Sequence, residues 1–374
     1  MTPTLARRVP FFDYRHAFLS EEEDLVRIFR DVGRRGAFIL QEDLARFETN
    51  LAQVVDAQFA VGVGNATDGL HLALRATGIQ PGDEVIFPSH TMAATAGAIY
   101  FAGAVPVPVE CGPDHLIDPE AAAAAVTPRT RAIIPVHLNG RTCAMDELAS
   151  IAARHGLILI EDAAQALGSR HRGQAAGTFG AAGVFSFYPA KLLGCLGDGG
   201  AVVTNDRVMF ERLCELRDHG RGTGGEIVGW GLNSRLDNLQ AAILDWRLSA
   251  LPEAVERRRD LARLYEQRLT GLEELTLPPG PDGDPDRYDV FQNYEVEAYD
   301  RDRLRDFLQA QGIGTLLPWG GRAVHQCERF QLRASLPSTE SLFERLLLLP
   351  MNTSLAKEDV HVVCDAIEGF YRST

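Results

Sequence analysis

The chain reads as an α/β protein, with a large domain built on a mainly parallel central sheet and a smaller C-terminal α+β domain. Three observations predict this. From about residue 59, short β-rich runs alternate with helical runs, the pattern of a doubly wound sheet. After residue 233 that alternation gives way to a long helical region. A loop rich in Pro, Gly and Asp over residues 277–287 then precedes a last group of short strands and helices. At 374 residues the chain is long enough for two cores. The division is expected near residue 250, giving units 1–250 and 251–374.

In order along the chain, an arm Val9-Pro10-Phe11-Phe12-Asp13 leads into a helix over 21–32, then Gly36-Ala37-Phe38-Ile39-Leu40 and a second helix from Gln41. Strands are expected at 60–63, 84–88, 105–109, 131–136, 157–161, 183–187 and 200–204. Helices fall between the earlier ones, near 67–77, 93–101, 119–126 and 145–155. The helical region from Asn233 to about Leu269 contains Pro252, which should kink or break it. The C-terminal unit comprises the segment 289–296, a helix over 301–311, a strand at 315–317, and helices over 338–345 and 357–371.

Composition narrows the function classes. With 45% hydrophobic and 24% charged residues the chain is ordinary globular material. A net charge of −14 without basic clusters argues against a nucleic acid polymer as partner, although a small anionic ligand needs only a few local arginines. The six cysteines are scattered without a C-x-x-C pair, and read as reduced thiols of a cytoplasmic protein. No signal-peptide core and no run of membrane-spanning length is present, so no membrane association is expected.

The chemistry centres on lysine usage. Of 37 basic residues only Lys191 and Lys357 are lysines. Arginine cannot replace lysine in imine chemistry, because a guanidinium stays protonated where a desolvated ε-amine can lose its proton and attack a carbonyl. Lys357 lies in a polar helix start, whereas Lys191 follows the apolar run Gly183-Val184-Phe185-Ser186-Phe187. A lysine snorkelling from a strand end is the other reading of that position. Doubly wound sheets bind ligands at the carboxyl ends of their strands, and three further features lie there. Val61-Gly62-Val63-Gly64-Asn65-Ala66-Thr67 runs from a strand through a glycine turn into a helix start that could hold a phosphate, or simply be capped. Leu157-Ile158-Leu159-Ile160-Glu161-Asp162 ends a buried strand in two carboxylates that alternation sends to opposite sides, so only one can face a ligand. Gly197-Asp198-Gly199-Gly200 allows close backbone approach, or forms a plain turn. Together a lysine, a phosphate-binding helix start and a carboxylate describe a pyridoxal phosphate site.

In that combination the sequence resembles the DegT/DnrJ/EryC1/StrS family of pyridoxal-phosphate-dependent sugar aminotransferases, of the fold-type I aspartate aminotransferase architecture. The matching stretches include 61–70, Pro81-Gly82-Asp83-Glu84-Val85-Ile86, Ile133-Ile134-Pro135-Val136-His137, Glu161-Asp162-Ala163-Ala164-Gln165, 185–191 and Asn233-Ser234-Arg235-Leu236, and the likeness spans essentially the whole chain. The resemblance implies that Lys191 binds the cofactor aldehyde and Asp162 pairs with the pyridine nitrogen. It further implies that Gln165 contacts the phenolic oxygen, and that Ala66, Thr67 and Ser186 bind the phosphate, with Asn233 reaching it from the other subunit of a homodimer. Arg235, His325 and Trp319 are the substrate-side candidates. Two departures stand out: Met92 occupies the place of a ring-stacking aromatic, and Leu317-Pro318-Trp319-Gly320-Gly321 replaces a usual His-Tyr-Pro element. The implied reaction moves nitrogen from an amino acid, L-glutamate, to a nucleotide-linked keto-deoxyhexose, dTDP-linked, at C4 or C3, in the deoxyaminosugar branch of secondary metabolism. A ketocyclitol acceptor, and a non-catalytic pyridoxal phosphate- or nucleotide-binding regulator, are the alternatives. A sugar dehydratase fits less well, because such relatives replace the lysine by histidine.

Overall fold

The computed structural model describes residues 8–373. Helix α1 (Tyr14–Arg35) begins earlier than the sequence pattern suggested, because Asp13 Oδ1 accepts the His16 N–H at 2.9 Å and caps the helix there. α2 (Glu42–Val54) follows. The alternation then runs β1 (Phe59–Val63), α3 (Ala66–Ala76), β2 (Glu84–Pro88), α4 (Ala93–Phe101), β3 (Val105–Val109), α5 (Pro119–Ala124), β4 (Thr130–Ile133), α6 (Met145–His155) and β5 (Ile158–Asp162). A small hairpin, β6 (Arg170–His171) and β7 (Gln174–Ala175), precedes β8 (Ala182–Ser186) and β9 (Gly200–Thr204).

Seven of these strands form one sheet in the order β1-β9-β8-β5-β4-β2-β3. Its pairings from β8 to β3 are parallel, and β9 alone runs antiparallel to both neighbours. The carboxyl ends of β2, β4, β5 and β8 therefore share one edge, where a ligand site belongs. Both faces are covered, which is why the strands read as apolar runs rather than alternating ones. Alternate side chains feed the two faces: Ala201 and Val203 pack with Leu44, Phe47 and Leu244, while Val202 and Val184 pack with Leu70, Leu72 and Leu213.

A helix absent from the sequence reading, α7 (Arg207–Arg217), follows β9; Asp206 Oδ1 caps it by accepting the Val208 N–H at 2.7 Å. The long helical region divides at Pro252 as expected. α8 (Asn238–Leu248) ends before it, and α9 (Leu251–Leu269) carries it in the first turn, where a missing N–H costs nothing. α9 begins in the first core with Leu251 and Val255 and ends in a second core with Leu261, Tyr265 and Leu269.

The second core contains a three-stranded antiparallel sheet of β10 (Leu275–Thr276), β12 (Tyr294–Ala298) and β13 (Leu346–Leu349), while β11 (Arg287–Tyr288) pairs instead with β6. Helices α10 (Arg301–Ala310), α11 (Pro337–Phe343) and α12 (Lys357–Arg372) complete the chain. Two expectations are corrected. Residues 315–317 form no strand and contribute a single bridge, Leu316 to Leu348; the helix expected over 338–345 stops at Phe343, and the leucine run after it is a buried strand. The N-terminal arm crosses to this core, where Val9 bridges Ile313. Among the described residues no helix is long and apolar enough to cross a membrane.

Candidate active site

Strand β5 delivers both carboxylates to the ligand edge, and alternation separates their jobs. Glu161 is fully buried, and its oxygens accept the N–H groups of Gly177, Phe179 and Gly180, each at 2.7 Å, and meet His137 Nε2 at 2.8 Å. It shapes the turn before β8 and has no capacity left for a ligand. Asp162 faces the other way. Its Oδ2 accepts the Thr95 hydroxyl at 2.8 Å, and its Oδ1 accepts the Ala164 N–H at 3.2 Å. Burial pushes the Asp162 carboxyl above its ordinary value, while Thr95, Ala164, Lys191 and His137 pull it back. Thr95, buried at the start of α4, also meets the Thr91 hydroxyl at 2.9 Å. The sequence reading missed Thr95, a threonine in the first turn of α4 that no motif marks.

Lys191 follows β8 in a half-buried loop, and among the described residues its ammonium makes no hydrogen bond. Burial brings this amine down to about 8, with Asp162 opposing the change and Arg258 adding to it. An amine titrating there is partly neutral at physiological pH, as a nucleophile must be. Lys357 is exposed at the start of α12.

The phosphate side is assembled by strand register. Asn65 Oδ1 caps α3 by accepting the Asp68 N–H at 2.8 Å, which leaves the N–H groups of Ala66 and Thr67 without acceptors among the described residues. Ser186 on β8 pairs with Gly200 on β9, and a Cβ added to Gly200 would lie 2.7 Å from the Ala66 nitrogen. Only glycine lets β9 pass this turn and bring Ser186 close to the helix start. Gln165 Oε1 accepts the Asn139 N–H at 2.7 Å, so its Nε2 is the free end, a donor without an acceptor among the described residues. Met92, 56% exposed, is the N-cap of α4 with no side-chain bond.

The remaining candidates are placed differently. Asn233 is exposed, next to Ser234, whose hydroxyl accepts the Gly64 N–H at 3.0 Å. Arg235 is paired with Asp218 at 2.9 Å, and Trp319 Nε1 donates to His90 Nδ1 at 3.0 Å. His325 is buried, with Nδ1 2.6 Å from the Ser89 hydroxyl and Nε2 3.0 Å from Glu340. Both ring nitrogens are spent on tying the end of β2 to α11.

The donor set fits pyridoxal phosphate. A buried carboxylate suits a protonated ring nitrogen, the adjacent amine suits an aldehyde, and two free amides at a helix N-terminus beside Ser186 suit a phosphate. Comparison with known proteins points the same way. The model of the DegT/DnrJ/EryC1/StrS aminotransferase family matches residues 20–368. A dTDP-3-amino-3,4,6-trideoxy-alpha-D-glucose transaminase of Streptomyces venezuelae is 43% identical over 366 residues, 96% of this chain and 95% of that protein. The crystal structure of S. venezuelae DesV in complex with a ketimine intermediate matches with a TM-score of 0.93 at 42% identity, covering 97% of this chain and 98% of that one. NtdA from Bacillus subtilis, with bound cofactor PMP, matches with a TM-score of 0.88 at 28% identity, covering 96% and 85%.

Proposed function

The chain belongs to the DegT/DnrJ/EryC1/StrS aminotransferase family, pyridoxal-phosphate-dependent enzymes of the type I fold, and from that premise we propose that it moves an amino group from L-glutamate to C3 or C4 of a dTDP-linked keto-deoxyhexose. One juxtaposition carries the reading: the half-buried Lys191 amine beside the buried Asp162 carboxylate, at the strand ends next to the open start of α3. The sugar class is supported by the 43% identity to a dTDP-aminodeoxyglucose transaminase.

Bound pyridoxal phosphate supplies an aldehyde that condenses with amines and a ring that accepts the electron pair left when a neighbouring C–H bond breaks. The side chains do the rest. The amides of Ala66 and Thr67, the Thr67 hydroxyl and Ser186 Oγ would hold the phosphate, and Asn233 of the partner subunit would add a donor, which makes the proposed site one shared in a homodimer. Asp162 would keep the ring nitrogen protonated, Gln165 Nε2 would donate to the phenolic oxygen, and Met92 would supply an apolar contact for the ring. Lys191 Nζ would be the group that holds and moves the proton between neighbouring carbons of the bound substrate. Arg235, paired with Asp218 through Nη1, and Trp319, bonded to His90 through Nε1, are the substrate-side candidates, with the other guanidinium N–H groups and the indole face left for the sugar.

The test is mass analysis of products from glutamate with a panel of dTDP-linked 3-keto and 4-keto sugars and inososes. An amino sugar nucleotide is expected. Amination of the inososes alone would replace the sugar reading by the ketocyclitol one.

A further inference from the structure

Lys191 is bracketed from the far end of the chain. Gln292, 5% exposed in the irregular stretch before β12, donates from Nε2 to the Ala190 carbonyl at 2.9 Å and accepts the Leu192 N–H on Oε1 at 2.8 Å. One side chain thus holds the peptide groups on both sides of the lysine, whose own N–H donates to the Tyr188 carbonyl at 2.8 Å. Gln292 is held in turn. Its carbonyl and that of Phe291 accept Arg258 Nη1 from α9, at 2.6 and 3.1 Å. The left-handed backbone of Phe291, φ 49°, breaks the strand alternation and lets two successive carbonyls converge on one guanidinium.

Arg258 is a costly way to make that anchor. It is 4% exposed, its Nε has no acceptor, and among the described residues it pairs with no carboxylate. An isolated buried cation carries a desolvation penalty that a neutral side chain at the same place would avoid. Burial draws its guanidinium down to about 10. Besides tethering the loop, Arg258 places a charge that opposes protonation of Lys191.

We propose that Gln292 and Arg258 are positioning residues for Lys191. Gln292 fixes the lysine backbone, and Arg258 anchors Gln292 while setting a second, unpaired positive charge against the amine, which favours its neutral, nucleophilic form. The inference rests on Lys191 being the reactive amine. The other charged groups facing Lys191 are Asp162 from β5 and, around the adjoining cleft of about 740 Å³, Glu21 of α1, Arg247 of α8, and Glu253 and Arg257 of α9. None of these cleft groups contacts Gln292.

The test uses the full-length enzyme loaded with pyridoxamine 5′-phosphate, in which the lysine is not bonded to the cofactor. Trace acetylation across pH 6 to 11 is read by mass spectrometry of the Lys191 peptide, with Lys357, the only other lysine, as internal reference. The parent should show a Lys191 midpoint well below that of Lys357. Arg258→Met should move it up by about half a unit, roughly a threefold fall in the neutral fraction, while Arg258→Lys, keeping the charge, should stay near the parent. Gln292→Met, which keeps Arg258 and carries the test should the arginine variants not fold, should also raise the midpoint by about half a unit, because the freed loop lets the amine reach water. Midpoints unchanged in Arg258→Met and Gln292→Met would overturn the proposal and leave both residues as tethers. Borohydride fixation of pyridoxal phosphate anywhere but Lys191 would instead overturn the reading on which the proposal rests.

Discussion

Thr95→Val removes one hydroxyl and nothing of comparable volume, at a position that is fully buried. The lost bond to Asp162 Oδ2, 2.8 Å in the parent, is charge-assisted and is worth about 1.5–3 kcal/mol, so its loss raises the carboxyl further. Thr91, which meets the same hydroxyl, loses a neutral bond worth about 1 kcal/mol at every pH. The Asp162 carboxyl in the folded chain already lies above 3.8, so the folded state binds more protons than the unfolded one just above that pH, and stability falls as pH rises through the window. Thr95→Val extends the window upward. The variant should therefore trail the parent by about 1 kcal/mol near pH 4 and by about 2.5–4 kcal/mol at pH 7 to 8. Urea unfolding of cofactor-free parent, Thr95→Val and Thr95→Ser between pH 4 and 8 measures this, with serine expected to recover most of the loss. A deficit that stays flat across the range, or grows toward acid, would show that Thr95 does not hold the carboxylate.

Three other experiments probe the site. Lys191→Arg should fold but lose covalent cofactor binding, with turnover down by at least about 10³-fold, since charge is kept and nucleophilicity is removed; turnover near the parent's would exclude Lys191 as the reactive amine. Asp162→Asn should still bond the cofactor yet slow both half-reactions by about 10²-fold or more, as a neutral amide no longer holds the ring proton; stopped-flow rates equal to the parent's would contradict the pairing. Lys191→Ala mixed with an inactive Asn233→Ala, Arg235→Ala double variant should regain about a quarter of parental activity after subunit exchange, because half of randomly paired dimers hold one intact site. No recovery despite proven exchange would place Asn233 in its own chain's site.

Much of this architecture was legible in the residues. The parallel strands were readable because both faces are buried, which makes each strand a short apolar run bounded by turn residues. Asp162 and Glu161 could be separated only as a pair by alternation; which one faced the ligand depended on the turn over residues 177–180 that Glu161 holds. Helix α7 was legible in the spacing Met209, Leu213, Leu216 but went unread, lying in a stretch dominated by charges. The run Leu346–Leu349 fits a helix end as well as a strand, and only its pairing with β12 decides. Gln292 and Arg258 were beyond reach, since no local pattern signals a side chain that acts on a peptide 100 residues away. His325 entered only through the resemblance, and its bonds to Ser89 and Glu340 have no local signature in the sequence.

The most direct test of the central claim is to load the purified protein with pyridoxal phosphate, reduce it with borohydride and map the adduct by mass spectrometry. With only two lysines in the chain the outcome is nearly binary. The account predicts a single cofactor per chain, fixed on Lys191, with loss of the visible absorbance band and of transamination together. An adduct on Lys357, or full activity after reduction, would contradict it.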